Sequence, residues 1–141
     1  MSEATIQWLD QGKYIGVDST KHGIVISVTG EEGGIGTKPS DLLLMSLGGC
    51  TAVDVVNILR KKRQKLTGLT VQVSGEQMPE APWTFLNFHL HYIVSGRGLS
   101  AEAVEKAIEL SDTKYCSVSA TLRRGAPITH DYEIVEAEQA G

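Results

Sequence analysis

Two cysteines, Cys50 and Cys116, are the residues of this 141-residue chain whose types are best suited to chemistry. Cys50 follows a pair of glycines in the apolar segment SLGGCTAVDVV, and Cys116 lies much later, in KYCSV. A thiolate is a nucleophile, and two cysteines can interconvert between a dithiol and a disulfide. If the fold brings the sulfurs together, a peroxide can oxidise one cysteine to a sulfenic acid, with which the other condenses. The alternative is that both thiols are inert core residues.

Formation of a thiolate at Cys50 requires a cation that the local sequence does not supply. Cys50 lies well inside a predicted helix, whereas the helix dipole acts only within the first turn. The cation must come from elsewhere in the fold or from a second subunit. Asp54, one turn later on nearly the same face, either opposes the thiolate or accepts a structural hydrogen bond. Gly48 and Gly49 each cost about 1 kcal/mol against alanine in a helix, so they indicate that a backbone, a helix or a small ligand approaches this turn.

Four histidines suggest a different kind of chemistry, the binding of a metal ion. His89 and His91 alternate along a predicted strand and therefore point to the same side, where His22 or His130 could join them. Two histidines so spaced on a polar strand face are more often solvated or hydrogen-bonded side chains than metal ligands. We therefore expect no metal site.

Composition excludes several classes of partner. The chain has 13 basic and 17 acidic residues, a net charge of -4, so it lacks the basic field that binds nucleic acid or an anionic membrane. Its 41% of hydrophobic residues are enough for one domain, which we expect to span residues 1–141. No uninterrupted apolar run has the length of a membrane span, and no secretory signal is evident, which predicts a cytoplasmic protein. Two cysteines without CxxC spacing argue there against a structural disulfide.

Turn signals and apolar runs predict the elements that position the cysteines. In the first third, the turn segments DQG, KHG and TGEEGGIG separate the runs IQWL, YIGV and IVISV, which indicates three antiparallel strands. A long helix is then predicted from Pro39 to Leu66, with Asp41 in its first turn and Gly68 as its stop. Its first two-thirds are apolar on nearly every side, more than one small subunit can cover.

The rest of the chain predicts two strands, two helices and a final strand. The strands LTVQVSGEQ and FLNFHLHYIVSG precede a helix capped by Ser100. A helix KYCSVSATLRR, which contains Cys116, and a strand ITHDYEIVE follow. The order β-β-β-α-β-β-α-α-β is that of an α+β domain whose central helix lies against a mostly antiparallel sheet.

The segments KPSDLLLMSLGGCTAVDVVNILRKK and SDTKYCSVSATL resemble the OsmC/Ohr family of osmotically inducible and organic hydroperoxide resistance proteins, and its small OsmC-like branch most. The resemblance covers essentially the whole chain and implies an intertwined homodimer with two central helices wrapped by sheets. It implies thiol-dependent reduction of organic hydroperoxides in the oxidative stress response. Cys50 is then the peroxidatic cysteine and Cys116 the resolving one. A dithiol such as a lipoylated protein returns the electrons, and no cofactor is needed.

Two positions depart from the pattern of that family. An arginine from the N-terminal strands and a glutamate after the helix-starting proline hold the thiolate there, but here no arginine precedes Arg60 and Ser40 follows Pro39. Lys13 is the predicted replacement for the arginine and Asp41 for the glutamate, although lysine lacks the planar fork of arginine. The alternative function is therefore an OsmC-fold dimer that senses redox state or binds a small apolar ligand, with little peroxidase turnover.

Overall fold

The computed structural model describes residues 1–28, 30 and 34–138. Its elements follow the predicted order, with a π-helical turn added before the last helix, and the fold class is α+β as expected. The residues group into two compact units, Met1–Leu43 and Leu44–Gly141. Within the predicted turn TGEEGGIG, residues 29 and 31–33 lie outside the described part of the chain. One domain over residues 1–141 stays a prediction.

The first unit contains the predicted three-stranded meander. Its strands are β1 (Thr5–Asp10), β2 (Lys13–Val17) and β3 (Gly23–Ser27). They pair antiparallel in the order β1-β2-β3. In the second turn, Oδ1 of Asp18 accepts hydrogen bonds from the backbone N–H groups of Thr20 and His22, which closes the loop.

The long helix α1 spans Pro39–Lys61 and ends before the predicted Leu66. Its termination is set by Arg63, whose φ of 57° lies in the left-handed region. The backbone N–H of Gln64 donates to the carbonyl of Leu59 at 3.0 Å across this residue, a closure typical of helix C-termini. The chain then enters a strand, so Gly68 lies inside that strand and does not stop the helix.

One face of α1 lies in the core of the second unit. Its buried positions recur at helical spacing and are Leu47, Gly48, Thr51, Val55 and Leu59. They pack with inward-facing residues of the neighbouring strand and helix, including Leu90 and Val104. Met45 and Val53 on the same helix remain 56% and 61% exposed, so this chain alone leaves part of the apolar surface uncovered. A homodimer that covers this surface stays a prediction.

By length and composition, α1 could also cross a membrane. The sequence analysis considered uninterrupted apolar runs and did not anticipate this, because polar residues such as Thr51 and Asp54 divide the segment. The core helix of a soluble protein meets the same criterion, so one such helix is weak evidence for a span. Leu47, Val55 and Leu59 are buried among side chains of this chain, and 28% of the apolar window as a whole is buried.

The second sheet contains β4 (Lys65–Gln77), β5 (Phe85–Arg97) and β6 (Ile128–Glu136) in the order β4-β5-β6. Strands β4 and β5 are antiparallel, as predicted, but β6 runs parallel to β5. The parallel pairing of β5 and β6 follows from the connection between them. The helices between β5 and β6 return the chain to the end of the sheet at which β5 began, as a crossover connection does.

The helices of this crossover position Cys116. Helix α2 (Ala101–Leu110) begins as predicted, with Oγ of Ser100 accepting the backbone N–H of Ala103 at 3.2 Å. A π-helical turn (Ser111–Tyr115) and helix α3 (Ser117–Leu122) replace the single predicted helix. Cys116 is the N-cap of α3 and not an interior residue. Tyr115, the last residue of the π-helical turn, is 53% exposed.

Candidate active site

The two cysteines meet inside the second unit. The Sγ atoms of Cys50 and Cys116 and a carboxylate oxygen of Asp54 all lie within 4.8 Å of one another. Both cysteines are free thiols. Cys50 is partly exposed, whereas Cys116 is only 3% exposed. The fold therefore brings the two sulfurs close together, which the sequence alone did not predict.

Local hydrogen bonds hold the thiol of Cys116 in place. Its backbone N–H donates to the carbonyl of Ser111 at 2.8 Å, and its Sγ accepts the backbone N–H of Ser119 at 3.3 Å. Burial is the main cause that raises the pKa of Cys116, and its hydrogen bond with Cys50 raises the pKa further, against the opposing effect of Ser119. Cys116 is therefore a protonated thiol at neutral pH.

Asp54 accepts a hydrogen bond that links α1 to the turn after α2. Oγ of Ser111, which is fully buried, donates to Oδ2 of Asp54 at 2.8 Å. This contact fits the second of the two roles that the sequence left open for Asp54, that of a structural acceptor. Ser111 was missed at the sequence level, because nothing distinguishes it from the exposed serines that commonly end helices.

Tyr92 of β5 forms a hydrogen bond with Thr51, the residue that follows Cys50 on α1. It is fully buried, and burial raises its pKa to about 12, although a hydrogen bond with Thr51 acts in the opposite direction. The nearby carboxylates of Asp112 and Asp54 also raise the pKa of Tyr92. A buried tyrosine hydroxyl requires a polar partner, and Thr51 supplies it. The inward register of Tyr92 on β5 was the signal that could have identified it.

The cations nearest to Asp54 in its own cavity are two lysines at the end of α1. Lys61 and Lys62 line that cavity with Asp54, but among the described residues no salt bridge includes Asp54. Arg123, the C-cap of α3, pairs with the carboxylate of Asp112 and donates to the carbonyl of Asp112 at 3.2 Å. The carboxylate of Asp54 is therefore not neutralised by a salt bridge within residues 44–138.

Lys13 and Asp41, the predicted replacements for the family's arginine and glutamate, both belong to the first unit. Lys13 begins β2, and its Nζ lies 3.7 Å from Oδ1 of Asp10. Asp41 lies in the first turn of α1, where its backbone N–H donates to the carbonyl of Lys38 at 3.0 Å. Their roles at the thiols stay predictions.

The histidines are hydrogen-bonded. His89 and His91 share a strand face, as expected, and both contact Oδ1 of Asp131, at 3.1 and 2.7 Å. The hydrogen bond from His91, followed by that from His89, lowers the pKa of Asp131. His22 lies elsewhere, with Nδ1 at 2.7 Å from Oγ1 of Thr20. In the described part of the chain, the histidines join no group of three closely spaced ligand atoms, whereas the thiol site does.

The two glycines before Cys50, Gly48 and Gly49, have different surroundings. A Cβ on Gly48 would lie 2.7 Å from Cγ2 of Val73, so this glycine allows α1 to pack closely on β4. A Cβ on Gly49 would meet no atom of residues 44–138 within 4 Å. Gly48 therefore allows α1 to pack closely on β4, whereas Gly49 faces open space.

Alanine substitutions separate these two roles. We expect Gly48→Ala to lower the free energy of unfolding by about 1–3 kcal/mol, because the added methyl group overpacks a stiff valine. Gly49→Ala should raise it by up to about 1 kcal/mol, because alanine is the better helix former and has room. Urea unfolding followed by circular dichroism measures both. Equal changes in the two variants would contradict the assignment.

The comparisons agree with the geometry. The family model for OsmC-like proteins matches residues 30–131. The chain belongs to the OsmC-like family. It is 39% identical over 135 residues to Protein YhfA of Escherichia coli K12, a match that covers 96% of this chain and 99% of that protein.

Solved structures of this family share the fold. An OsmC-like protein from Mycoplasma pneumoniae superimposes with a TM-score of 0.82 at 15% identity, covering 96% of this chain and 97% of the other. The organic hydroperoxide resistance protein OhrB of Bacillus subtilis superimposes with a TM-score of 0.62 at 14% identity, covering 94% and 98%. At these identities the likeness establishes the fold alone.

Proposed function

We propose that this protein is a thiol-dependent peroxidase that reduces organic hydroperoxides, with Cys50 as the peroxidatic cysteine and Cys116 as the resolving cysteine. The observation that carries the proposal is the approach of the two sulfurs to within 4.8 Å. A disulfide bond is about 2.05 Å long, so the gap must close by no more than about 2.7 Å, which side-chain rotation can supply. Membership of the OsmC-like family and the fold shared with OhrB add support.

In the first step, Cys50 attacks the peroxide. The thiolate sulfur forms a bond to one peroxide oxygen, the O–O bond breaks, and the departing alkoxide takes a proton to become an alcohol. Cys50 leaves this step as a sulfenic acid. The step is assigned to Cys50 because it is partly exposed, whereas Cys116 is buried and protonated.

In the second step, Cys116 resolves the sulfenic acid. Its sulfur attacks the sulfur of Cys50, the S–S bond forms, and the S–O bond breaks. The thiol proton of Cys116 and the departing hydroxide leave as water. An external dithiol, such as a lipoylated protein, then exchanges with the disulfide, so it is oxidised while the two cysteines are reduced.

A cavity beside the site offers room for the organic part of the substrate. It has a volume of about 350 Å³ and is bordered on one side by Asp54. Its lining combines largely apolar side chains with two lysines at the end of α1. The other lining residues are Asn57, Ile58, Lys61, Lys62, Leu110 and Tyr115. An apolar chain that carries the hydroperoxide can bury surface there.

The homodimer, the cytoplasmic location and the roles of Lys13 and Asp41 form part of the same proposal. In a dimer, the exposed apolar side chains of α1, such as Met45 and Val53, become covered. Lys13 then supplies the charge that stabilises the Cys50 thiolate, with Asp41 orienting it.

A second candidate function is a redox sensor, or a dimer that binds a small apolar ligand, with slow peroxide turnover. It is favoured by the lack of an ion pair at the thiols within residues 44–138. The candidate functions differ in what can be measured. A peroxidase consumes many equivalents of hydroperoxide when a dithiol is present. The thiols of a sensor are oxidised once and slowly, and a ligand-binding protein retains its small molecule through purification.

Disulfide mapping tests the proposal. Reduced protein treated with one equivalent of cumene hydroperoxide, alkylated and digested should show one internal bond between Cys50 and Cys116 by mass spectrometry. In the matched Cys116→Ser variant, the same treatment should leave a sulfenic acid on Cys50, trapped with dimedone. Wild-type protein in which Cys50 and Cys116 both remain alkylatable thiols after this treatment would contradict the mechanism.

A further inference from the structure

Two thiols and a carboxylate meet in the second unit, which is an arrangement suited to a thiophilic metal ion. Cys50 and Asp54 lie one helical turn apart on the same face of α1, and Cys116 faces them from the N-cap of α3. We propose that these three side chains bind one thiophilic divalent cation of the Zn²⁺ class. Binding uses the site of the proposed peroxidase but requires only its reduced thiols, so it does not depend on peroxide chemistry.

The distances fit such an ion. Zinc bonds to sulfur are about 2.3 Å long and to carboxylate oxygen about 2.0–2.2 Å, so a tetrahedral site separates two sulfurs by about 3.8 Å and a sulfur from an oxygen by about 3.6 Å. The three ligand atoms here lie within 4.8 Å of one another. Closing the remaining gap requires only small side-chain rotations. Three protein ligands leave the fourth position open to water or an exogenous ligand.

Outer hydrogen bonds already orient two of the ligands. Ser111 donates to Oδ2 of Asp54 at 2.8 Å, which fixes the carboxylate and allows the ion to take its other oxygen. The backbone N–H of Ser119 donates to Sγ of Cys116 at 3.3 Å, which stabilises a thiolate at that position. Contacts of this kind position first ligands in metal proteins and tune their affinity.

The charge balance also favours a cation. Asp54 forms no salt bridge within the described residues, so its carboxylate remains available to a metal ion. On binding, two S–H bonds give way to two sulfur–metal bonds, two protons are released to solvent, and no group changes oxidation state. Thiolate ligands select Zn²⁺ over Mg²⁺ and Ca²⁺, which prefer oxygen. A bound ion occupies both sulfurs, so it must leave before Cys50 and Cys116 can form a disulfide.

The test titrates fully reduced protein with Zn²⁺ in the absence of oxygen, against a chromophoric chelator. We expect one Zn²⁺ per chain, and with Co²⁺ a thiolate charge-transfer band and the ligand-field spectrum of a tetrahedral site. Cys116→Ser and Asp54→Asn should each weaken affinity by about 100-fold or more, and Ser111→Ala by about 10-fold, in line with the cost of losing outer contacts. Asp54→Asn keeps the shape of the side chain, so its effect separates lost ligation from misfolding.

The matched control is the double variant His89→Ala/His91→Ala, which removes the other ligand pair and should leave Zn²⁺ affinity unchanged. The inference is overturned if wild type binds Zn²⁺ no more tightly than a Cys50→Ser/Cys116→Ser variant, or if the histidine variant loses binding. Disulfide formation without metal binding refutes only the metal site. Metal binding without a peroxide-induced disulfide refutes only the proposed peroxidase.

Discussion

Replacement of Cys50 by serine is expected to reduce the rate of organic hydroperoxide consumption by at least about 1,000-fold, because a hydroxyl cannot replace the thiolate as the nucleophile. The measurement follows loss of cumene hydroperoxide in the presence of a dithiol such as dihydrolipoamide. Serine differs from cysteine by one atom, and Cys50 is only partly buried, so the fold should be retained. Circular dichroism checks this.

Cys116→Ser is the matched control for this experiment. The variant retains Cys50 and should consume the first equivalent of hydroperoxide at a rate near that of wild type, but it cannot form an internal disulfide. A Cys50→Ser variant with more than about a tenth of wild-type turnover would show that the reaction does not pass through this residue, and the sensing or ligand-binding alternative would become the better account.

Leu90→Ala is expected to lower the free energy of unfolding by about 2–5 kcal/mol, the range for removing a buried leucine side chain and leaving a cavity. Leu90 lies at 1% exposure in β5, among core residues of α1 and α2. Tyr92 lies two residues later on the same strand and is hydrogen-bonded to Thr51, the residue after Cys50, so the loss should also loosen the position of the thiols. Urea unfolding followed by fluorescence measures the change.

Leu86→Ala is the control on the same strand. Leu86 has the same strand parity but is 46% exposed, so its removal should cost less than about 1 kcal/mol. Similar losses for the two variants would mean that β5 is not buried as described, and the account of the core would fail.

The thiol pair connects the two proposals made for this protein. Oxidation joins the sulfurs of Cys50 and Cys116 directly, whereas a cation joins them through the metal. Each state excludes the other, since a disulfide sulfur has no charge to offer a metal. The two measurements above therefore report on the same atoms by independent means. The exposed surface of α1 bears on both, because a second subunit placed there could change access to the site.

Local patterns in the sequence predicted much of the fold. The β-branched runs of the first third, the proline at the start of α1 and the Ser100 cap each act over a few neighbouring positions, and the structure has the three strands, the helix start and the cap that they predict. The same patterns did not predict the end of α1, which lies at Lys61 and not at Leu66. Termination there depends on a left-handed Arg63, a conformation for which arginine carries no sequence signal.

Sequence alone also identified the candidate reactive atoms, since Cys50 and Cys116 are the chain's two thiols. Tertiary structure decided that these thiols meet, that Ser111 donates a hydrogen bond to Asp54, and that Tyr92 is buried against Thr51. It also decided that β6 pairs parallel with β5. The physical reason is that these contacts join residues far apart in the chain, whose approach depends on how all the intervening elements pack, whereas propensities and caps depend only on neighbours.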